Sequence, residues 1–507
     1  MTSTDAARDE RAPSAGPPVD TAQDAAHRRR WLVLALASLA QLVVVLDATI
    51  VNIALPTAQA DIGFSDDSRQ WVVTGYALAF GSLLLVGGRL GDLVGRRRTF
   101  VIGLIGFGAA SALGGVAESF EVLVAARALQ GVFGALLAPA ALSLLTTTFT
   151  DPAERGRAFA VFGAISGAGG ALGLILGGAL TEYLSWRWCL LVNVPIVLVV
   201  VAGALAWISP RNTGTTSAAT GLDVPGSVLS VAGLVGVVFG LASAETEGWS
   251  SAVTIAPIVV GLLLLAAFVV VERRVAHPLL PLRIVVDRAR GGALVNLAVM
   301  GVGMFGVFLF LTYYLSTVLA YQPLEVGFAF LPMIGGIVVA AQVAPVALAR
   351  IGLKLTVTAG MVVAGAGMLL LTRLGLDSSY AADILPALVV VGVGIAFVIV
   401  PSISAATAGV DGDDAGVASA MTNTSQQIGG SIGTAVLSWV AASAVDDALV
   451  GSDPADPLAG LSAAVQGYTA AFGWAAGVFF AGAVVAALLL PMRARQVDPD
   501  AAPVLVH

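Results

Sequence analysis

The chain has 507 residues, of which 58% are hydrophobic and only 11% are charged. Soluble domains carry about a quarter charged residues, so this composition excludes an ordinary water-soluble fold and indicates a membrane protein. The net charge of -7 argues against nucleic-acid binding. One cysteine, Cys189, excludes an internal disulfide, and the three scattered histidines predict no metal site.

Apolar runs long enough to cross a bilayer recur along the whole chain. About 20 apolar residues of helix cross a hydrocarbon core of about 30 Å. Fourteen such runs are predicted, at 31–55, 70–88, 99–117, 122–146, 158–181, 188–208, 225–243, 252–271, 291–316, 324–347, 355–374, 381–403, 416–440 and 467–491. The sequence therefore predicts an all-α polytopic membrane protein.

The basic residues predict the orientation, because Arg and Lys collect at cytoplasmic loops. With a cytoplasmic start and fourteen spans, only Arg69, Arg187 and Arg373 fall outside, and Arg127 falls within a span. The other 21 basic residues lie inside. Both termini are therefore predicted to be cytoplasmic.

The first and fourth spans each place a charge in an apolar helix. Asp47 should lie about 24 Å and Arg127 about 21 Å from the inner face, at 1.5 Å per residue. Asn52 and Gln130 are polar neighbours in the same spans. A charge at this depth is costly and is a functional candidate, although a purely structural Asp47–Arg127 pair remains an alternative.

A short loop after the second span reads GGRLGDLVGRRR. Its glycines allow a tight turn, its acid can accept hydrogen bonds from a helix N-terminus or an arginine, and its arginines suit the anionic inner leaflet. We assign this loop to a cytoplasmic gate. The assigned residues are Gly88, Asp92, Gly95, Arg96 and Arg97.

Small residues line one face of the fifth span. Gly169, Gly173 and Gly177 recur every four residues and Gly178 follows them. A face without side chains lets two helices approach closely. We predict a helix-packing hinge at these four glycines.

Adaptable side chains recur every four residues in the ninth span, at Asn296, Met300, Met304 and Phe308. Methionine surfaces suit promiscuous binding, although plain packing or lipid contact is the favoured explanation for any one of these side chains taken alone. We assign eight residues to a substrate cavity, namely Asn52, Gln130, Asn296, Met300, Met304, Phe308, Asn423 and Gln427.

Several of these segments resemble the major facilitator superfamily. The G-x-L-x-D-x-x-G-R-R spacing from Gly88 to Arg97 is similar to the loop motif of that family, and ALARIGLK (Ala347–Lys354) resembles its second copy without the acid. LDATIVNIALP (Leu46–Pro56) and the R-x-x-Q-G from Arg127 resemble motifs of the fourteen-span drug:proton antiporter branch. The fifth span resembles that branch's antiporter motif, but Leu174 stands where proline is usual.

The resemblance implies a major facilitator fold, with two six-helix bundles and two inserted helices. It implies five segments: a disordered cytoplasmic tail (1–30), an N-terminal bundle (31–208), the inserted helices and a cytoplasmic linker (209–290), a C-terminal bundle (291–491) and a cytoplasmic tail (492–507). The ninth span would then correspond to the first and line a central cavity.

The implied function is proton-coupled efflux of hydrophobic or cationic drugs by alternating access, with Asp47 and Arg127 coupling protons to transport. We expect a monomer in a bacterial plasma membrane, driven by the proton gradient without a cofactor and with no enzyme activity. Export of an endogenous metabolite, siderophore or lipid, and nutrient uptake, remain alternatives with the same fold. A membrane enzyme lacks a convergent set of catalytic groups, and a channel lacks a visible filter.

Overall fold

The computed structural model describes residues 21–65, 68–149, 151–208, 223–275, 278–408, 415–450 and 457–492. The predicted tail residues before 21 and after 492 lie outside the described residues. Throughout the described part the regular structure is helical. This is the expected outcome, because in lipid a helix satisfies its own backbone hydrogen bonds.

The N-terminal half contains the first six spans in seven helices. They are α1 (Thr21–Ile62), α2 (Gln70–Val94), α3 (Arg96–Gly115), α4 (Phe120–Thr148), α5 (Pro152–Tyr183), α6 (Trp188–Leu191) and α7 (Asn193–Trp207). Side chains of Ser119 and Asp151 cap α4 and α5 by accepting from backbone N–H groups three residues on. The sixth predicted span is thus divided into α6 and α7.

The inserted helices and the C-terminal half follow. They are α8 (Val224–Glu247), α9 (Ala252–Glu272), α10 (Leu282–Val286), α11 (Arg288–Gly306), α12 (Pro323–Ala329), α13 (Leu331–Leu371), α14 (Leu385–Thr407), α15 (Ala415–Leu449) and α16 (Ala459–Leu489). Two π-helical segments, Val307–Leu311 and Tyr314–Val318, extend α11 outward, and a third, Tyr380–Ile384, precedes α14.

Twelve segments of the described chain are long and apolar enough to cross a membrane. Two of the fourteen predicted spans are not counted separately among these twelve. The tenth and eleventh spans form one continuous segment, Pro323–Leu371, and the fifth span is represented only by the shorter apolar piece Leu172–Tyr183 of the longer helix α5. The all-α polytopic fold is therefore confirmed.

The first helix begins at Thr21, ten residues before the predicted span. Its extension is held by arginines that were predicted to lie in the tail. Arg30 Nη1 donates to Glu154 Oε2 at 2.8 Å, and Arg29 Nε donates to the Trp207 carbonyl at 2.7 Å. These contacts tie the start of α1 to α5 and α7.

Two turns at equivalent places reveal the internal repeat. Gly95 joins α2 to α3 with φ 100° and ψ 131°, and Gly352 kinks α13 with φ 82° and ψ 170°. A side chain is strained at positive φ, so both turns favour glycine. Each glycine precedes the basic end of its loop, so the degenerate second copy keeps the turn although it lacks the acid.

We call the side of the bundle that carries Arg96–Arg98 the inner side and the opposite side the outer side. The outer ends of the two halves are in contact. The Tyr313 hydroxyl donates to Gln59 Oε1 at 2.6 Å, and Arg69 lies 4.1 Å from the centre of the Tyr313 ring. The Leu324 N–H also donates to Glu182 Oε2 at 3.2 Å. The outer side is therefore closed in this conformation.

The inserted helices form a hairpin, α8 and α9, that packs on α2 and α15 through α8. In the most apolar window of α9 only 17% of residues are buried, against 67% in the segment Arg288–Val318. Its mean hydropathy of 2.8 is also high. These values place most of α9 against lipid, outside the two bundles.

Candidate functional site

Asp47 lies in the interior of the N-terminal half, on α1, and is fully buried. Its carboxylate accepts three hydrogen bonds. Oδ1 accepts from Gln130 Nε2 and Asn193 Nδ2, both at 2.7 Å, and Oδ2 accepts from Arg127 Nη1 at 2.5 Å. Donors from α4 and α7 thus surround an acid on α1, which satisfies a carboxylate at a depth where water is scarce.

Arg127 joins the acid to α2. Its Nε donates to the Val72 carbonyl at 3.2 Å, its Nη1 also donates to Gln130 Oε1 at 2.9 Å, and its guanidinium lies 4.4 Å from the centre of the Tyr76 ring. The side chain is only 2% exposed. A buried guanidinium that loses its carboxylate partner is expensive, so the state of Asp47 bears directly on the position of α2.

Sequence reasoning missed three members of this polar group. Asn193 at the start of α7 and Ser111 on α3 complete the shell, since Ser111 Oγ accepts from Gln130 Nε2 at 2.7 Å and from Asn193 Nδ2 at 3.3 Å. Tyr76 supplies the aromatic face. Asn193 lies in the sixth predicted span, and a polar side chain in an apolar span was the available signal.

An apolar cavity separates Asp47 from the outer face. Its lining includes Val51, Leu55, Val72, Leu123 and Cys189. Val51 lies one helical turn outward from Asp47 on α1. The side of the polar group that faces this cavity is therefore bordered mainly by apolar side chains.

The residues assigned to the substrate cavity do not form one group. Gln130 lies with Asp47, whereas Asn52 donates to the Ala48 carbonyl of its own helix at 3.0 Å. Gln427 lies at the seam between the halves, where a Cβ on Gly81 of α2 would be 2.9 Å from its Cβ. Asn423 is exposed on α15.

The stripe on α11 is largely buried. Asn296 and Met300 are 0% exposed, and Asn296 Nδ2 donates to the Gly292 carbonyl at 2.7 Å. Phe308 packs on Phe330 with ring centres 5.1 Å apart, and Met304 is half-buried. In this conformation the stripe belongs to a packed core, and only Met304 keeps partial exposure.

The gate loop has the predicted turn. Gly95 provides it, and Arg97 Nη2 donates to the Leu205 carbonyl at the end of α7 at 2.9 Å. Gly88 faces α4, where its Cβ would be 3.7 Å from Pro139 Cβ. Arg96 is half-buried, and the side chain of Asp92 lies outside the described residues.

The glycines of α5 serve two different interfaces. Gly169, Gly173 and Gly177 face α1, and a Cβ on Gly173 would be 2.0 Å from Thr49 Oγ1. Gly178 instead faces the other half, where a Cβ would be 2.5 Å from Leu324 Cα. The helix runs unbroken from Pro152 to Tyr183, so Leu174 leaves α5 without a proline bend.

Two bundles closed at the outer side, with a buried charged group in one of them, define a polytopic helical protein of the alternating-access class. The Major Facilitator Superfamily model matches residues 37–434, and the chain belongs to this family, whose members are transporters. Its fold is that of solved transporters. A bacterial homologue of the human lysosomal transporter Spinster, inward-facing and occupied, matches 90% of this chain and 96% of its own with a TM-score of 0.61 at 14% identity.

Curated relatives are named for antibiotic resistance and export. The puromycin resistance protein pur8 of Streptomyces alboniger is 47% identical over 93% of each chain. The cephamycin export protein CmcT of Amycolatopsis lactamdurans is 40% identical over 81% of this chain and 85% of its own. The lincomycin resistance protein of Streptomyces lincolnensis is 35% identical over 81% and 84%.

Proposed function

We propose that the protein exports an antibiotic or a similar small molecule across a bacterial plasma membrane in exchange for protons. The family and the names of its relatives support the cargo class. The observation that carries the proton coupling is the fully buried Asp47, which is held by Arg127, Gln130 and Asn193. The termini would be cytoplasmic and the working unit a monomer.

Protonation of Asp47 provides the coupling step. A neutral acid no longer compensates the guanidinium of Arg127, which is then an unpaired charge in a poorly hydrated interior. Arg127 holds α2 through the Val72 carbonyl and the Tyr76 ring. The response of lowest free energy is a movement of α2 relative to α1 and α4 that gives the Arg127 guanidinium water or a new partner.

Helix α2 carries this movement to the other half. Gly81, further inward on α2, packs against Gln427 of α15. The gate loop follows at the inner end of α2. One helix therefore links the protonated acid, the seam between the halves and the gate.

The same geometry separates proton and substrate. The hydrogen-bonding partners of Asp47 in the described structure all belong to the N-terminal bundle, and its side chain is 0% exposed. We therefore assign the exchange to an indirect mechanism. Protons act on α2 from within one bundle, and the substrate binds where the two bundles meet.

Transport in proteoliposomes tests the proposal. Vesicles with an acidic lumen should accumulate labelled puromycin, because an antiporter moves substrate against the direction of proton flow. Asp47→Asn should abolish accumulation while puromycin exchange without a gradient continues. Asp61→Asn is the matched control, since Asp61 lies on the same helix but in a half-exposed outer pair with Arg187.

Two results would contradict the coupling role. If Asp47→Asn accumulates puromycin as well as the native protein, Asp47 only holds the bundle together. If native vesicles transport puromycin equally with and without the gradient, the protein is not proton-coupled. A panel including cephamycin and lincomycin then separates a different cargo from a failed mechanism.

A further inference from the structure

A second pair of buried acids lies at the inner end of the inserted hairpin. Asp223 precedes α8 and is 6% exposed, and Glu272 ends α9 and is 4% exposed. Neither belongs to the group around Asp47 or to the gate loop. Two carboxylates rarely lie buried side by side unless something compensates their charge.

Each carboxyl group has one oxygen with a clear structural task. Asp223 Oδ1 caps α8 by accepting from the Gly226 N–H at 2.9 Å. Glu272 Oε2 accepts from the Leu280 N–H at 3.2 Å and so fastens the linker between the halves. One oxygen of each acid thus accepts a hydrogen bond that fixes a chain segment, and the second oxygen has no such role.

The remaining oxygens converge on each other. A Cβ built on Gly226 would lie 2.2 Å from Asp223 Oδ2 and 2.9 Å from Glu272 Oε1, so glycine is needed there to admit both. The second oxygens of both carboxyl groups therefore lie beside the same point at Gly226. Yet Asp223 Oδ2 and Glu272 Oε1 are buried atoms that have no donor within the described structure.

Nearby charges do not resolve this shortage. Among the described residues, neither acid forms an ion pair. Arg273 and Arg274 follow Glu272 and are exposed, Arg283 beyond the linker is exposed, and Arg89 on α2 is half-buried. From α2 and α15, the hydrophobic side chains of Leu85, Val86, Val417 and Met421 meet the linker. His277 of the linker lies outside the described residues.

The linker that Glu272 fastens contacts both halves of the protein. Leu279 and Leu280 pack with Phe268 in a small cluster at the inner side. Leu85 and Val86 of α2 and Val417 and Met421 of α15 pack on the same cluster. We call Leu279 and Leu280, which contact helices of both halves at the inner side, the apolar wedge.

We propose that Asp223 and Glu272 form a second proton-binding site, which holds one proton between Asp223 Oδ2 and Glu272 Oε1 and keeps the wedge docked. One bound proton supplies the missing donor and removes one of two buried negative charges. Its loss to the inner solution leaves two facing anions, which push the start of α8 from the end of α9. The Leu280 anchor then weakens. This gives the inserted helices a role in sensing protons at the inner side, independent of Asp47.

Infrared difference spectroscopy on the full-length protein in lipid nanodiscs reads the bound proton directly. In an Asp47→Asn background, acidic-minus-alkaline spectra should show a carbonyl stretch from a buried protonated carboxyl group. Glu272→Gln should remove this band, because its amide N–H replaces the shared proton. Asp223→Asn should remove or shift it. Glu247→Gln, at the exposed outer end of the same hairpin, should keep it.

Hydrogen exchange gives a second readout at the wedge. After correction for intrinsic rates, protection of the segment around Leu280 should fall in the native protein as pH rises. Glu272→Gln should keep that protection constant. If a Gln or Asn variant at the pair does not fold, the pH dependence of the infrared band in Asp47→Asn and of hydrogen exchange in the native protein still decides.

Three results would overturn the assignment. The spectra of the Asp47→Asn protein could lack a buried carboxyl band, the band could persist unchanged when Glu272→Gln or Asp223→Asn is added, or sodium at fixed acidic pH could abolish it. The last result would assign the pair to a metal cation. Because these measurements involve no transport, their failure is distinguishable from failure of antibiotic export.

Discussion

The shell around Asp47 gives a quantitative prediction at Asn193. Asn193→Ala removes one of the three side chains that donate to the Asp47 carboxylate, at a distance of 2.7 Å. A hydrogen bond to a charged group contributes about 1.5–3 kcal/mol. These donors hold the charged carboxylate in place beside Arg127, so the loss of one weakens the shell that fixes Asp47.

The size of the effect follows from the energy of that hydrogen bond. The free energy of unfolding should fall by about 1.5–3 kcal/mol in Asn193→Ala. Folding should persist, because Gln130 and Arg127 still hold the acid.

The assay is thermal unfolding of the purified protein. Asn52→Ala is the control, because Asn52 lies on α1 near the acid but donates to the uncharged Ala48 carbonyl. Its loss of stability should be smaller, at about 0.5–1.5 kcal/mol. Equal stability of the native protein and Asn193→Ala would refute the view that this shell holds a buried charged carboxylate.

Two further variants test the fold and the closed outer side. Gly352→Ala should lower stability by about 1–3 kcal/mol, since Gly352 has φ 82° and ψ 170°, and thermal unfolding should show it. Gly335→Ala on the same helix meets nothing within 4 Å and should not destabilise, so equal melting of the two variants would contradict this reasoning. Tyr313→Phe removes the Gln59 hydrogen bond between the halves, which contributes about 0.5–1.5 kcal/mol. Spin-label distances across the outer side should then show a severalfold larger open population. The Tyr314 hydroxyl donates to the Gly375 carbonyl in its own half, so Tyr314→Phe should leave the open population unchanged.

The sequence by itself determined the spans, the class of protein and the similar depth of its two most buried charges. Hydrophobic runs must be helices in lipid, because the bilayer offers no other partner for the backbone. Their fixed rise per residue gave Asp47 and Arg127 similar depths before any contact was known. Gly95 and the basic residues after it marked the turn for the same local reason, since positive φ is cheap only for glycine.

Tertiary structure alone decided which way the side chains face. Depth along a helix says nothing about rotation about its axis, so Gln130 was assigned to a substrate cavity although it contacts Asp47. Asn296 and Met300 were assigned to the same cavity but are buried, because their exposure depends on the helices beside α11. Asn193 and Ser111 joined the site from helices far apart in sequence. The facing oxygens of Asp223 and Glu272, 49 positions apart, likewise required the packing of one helix on another.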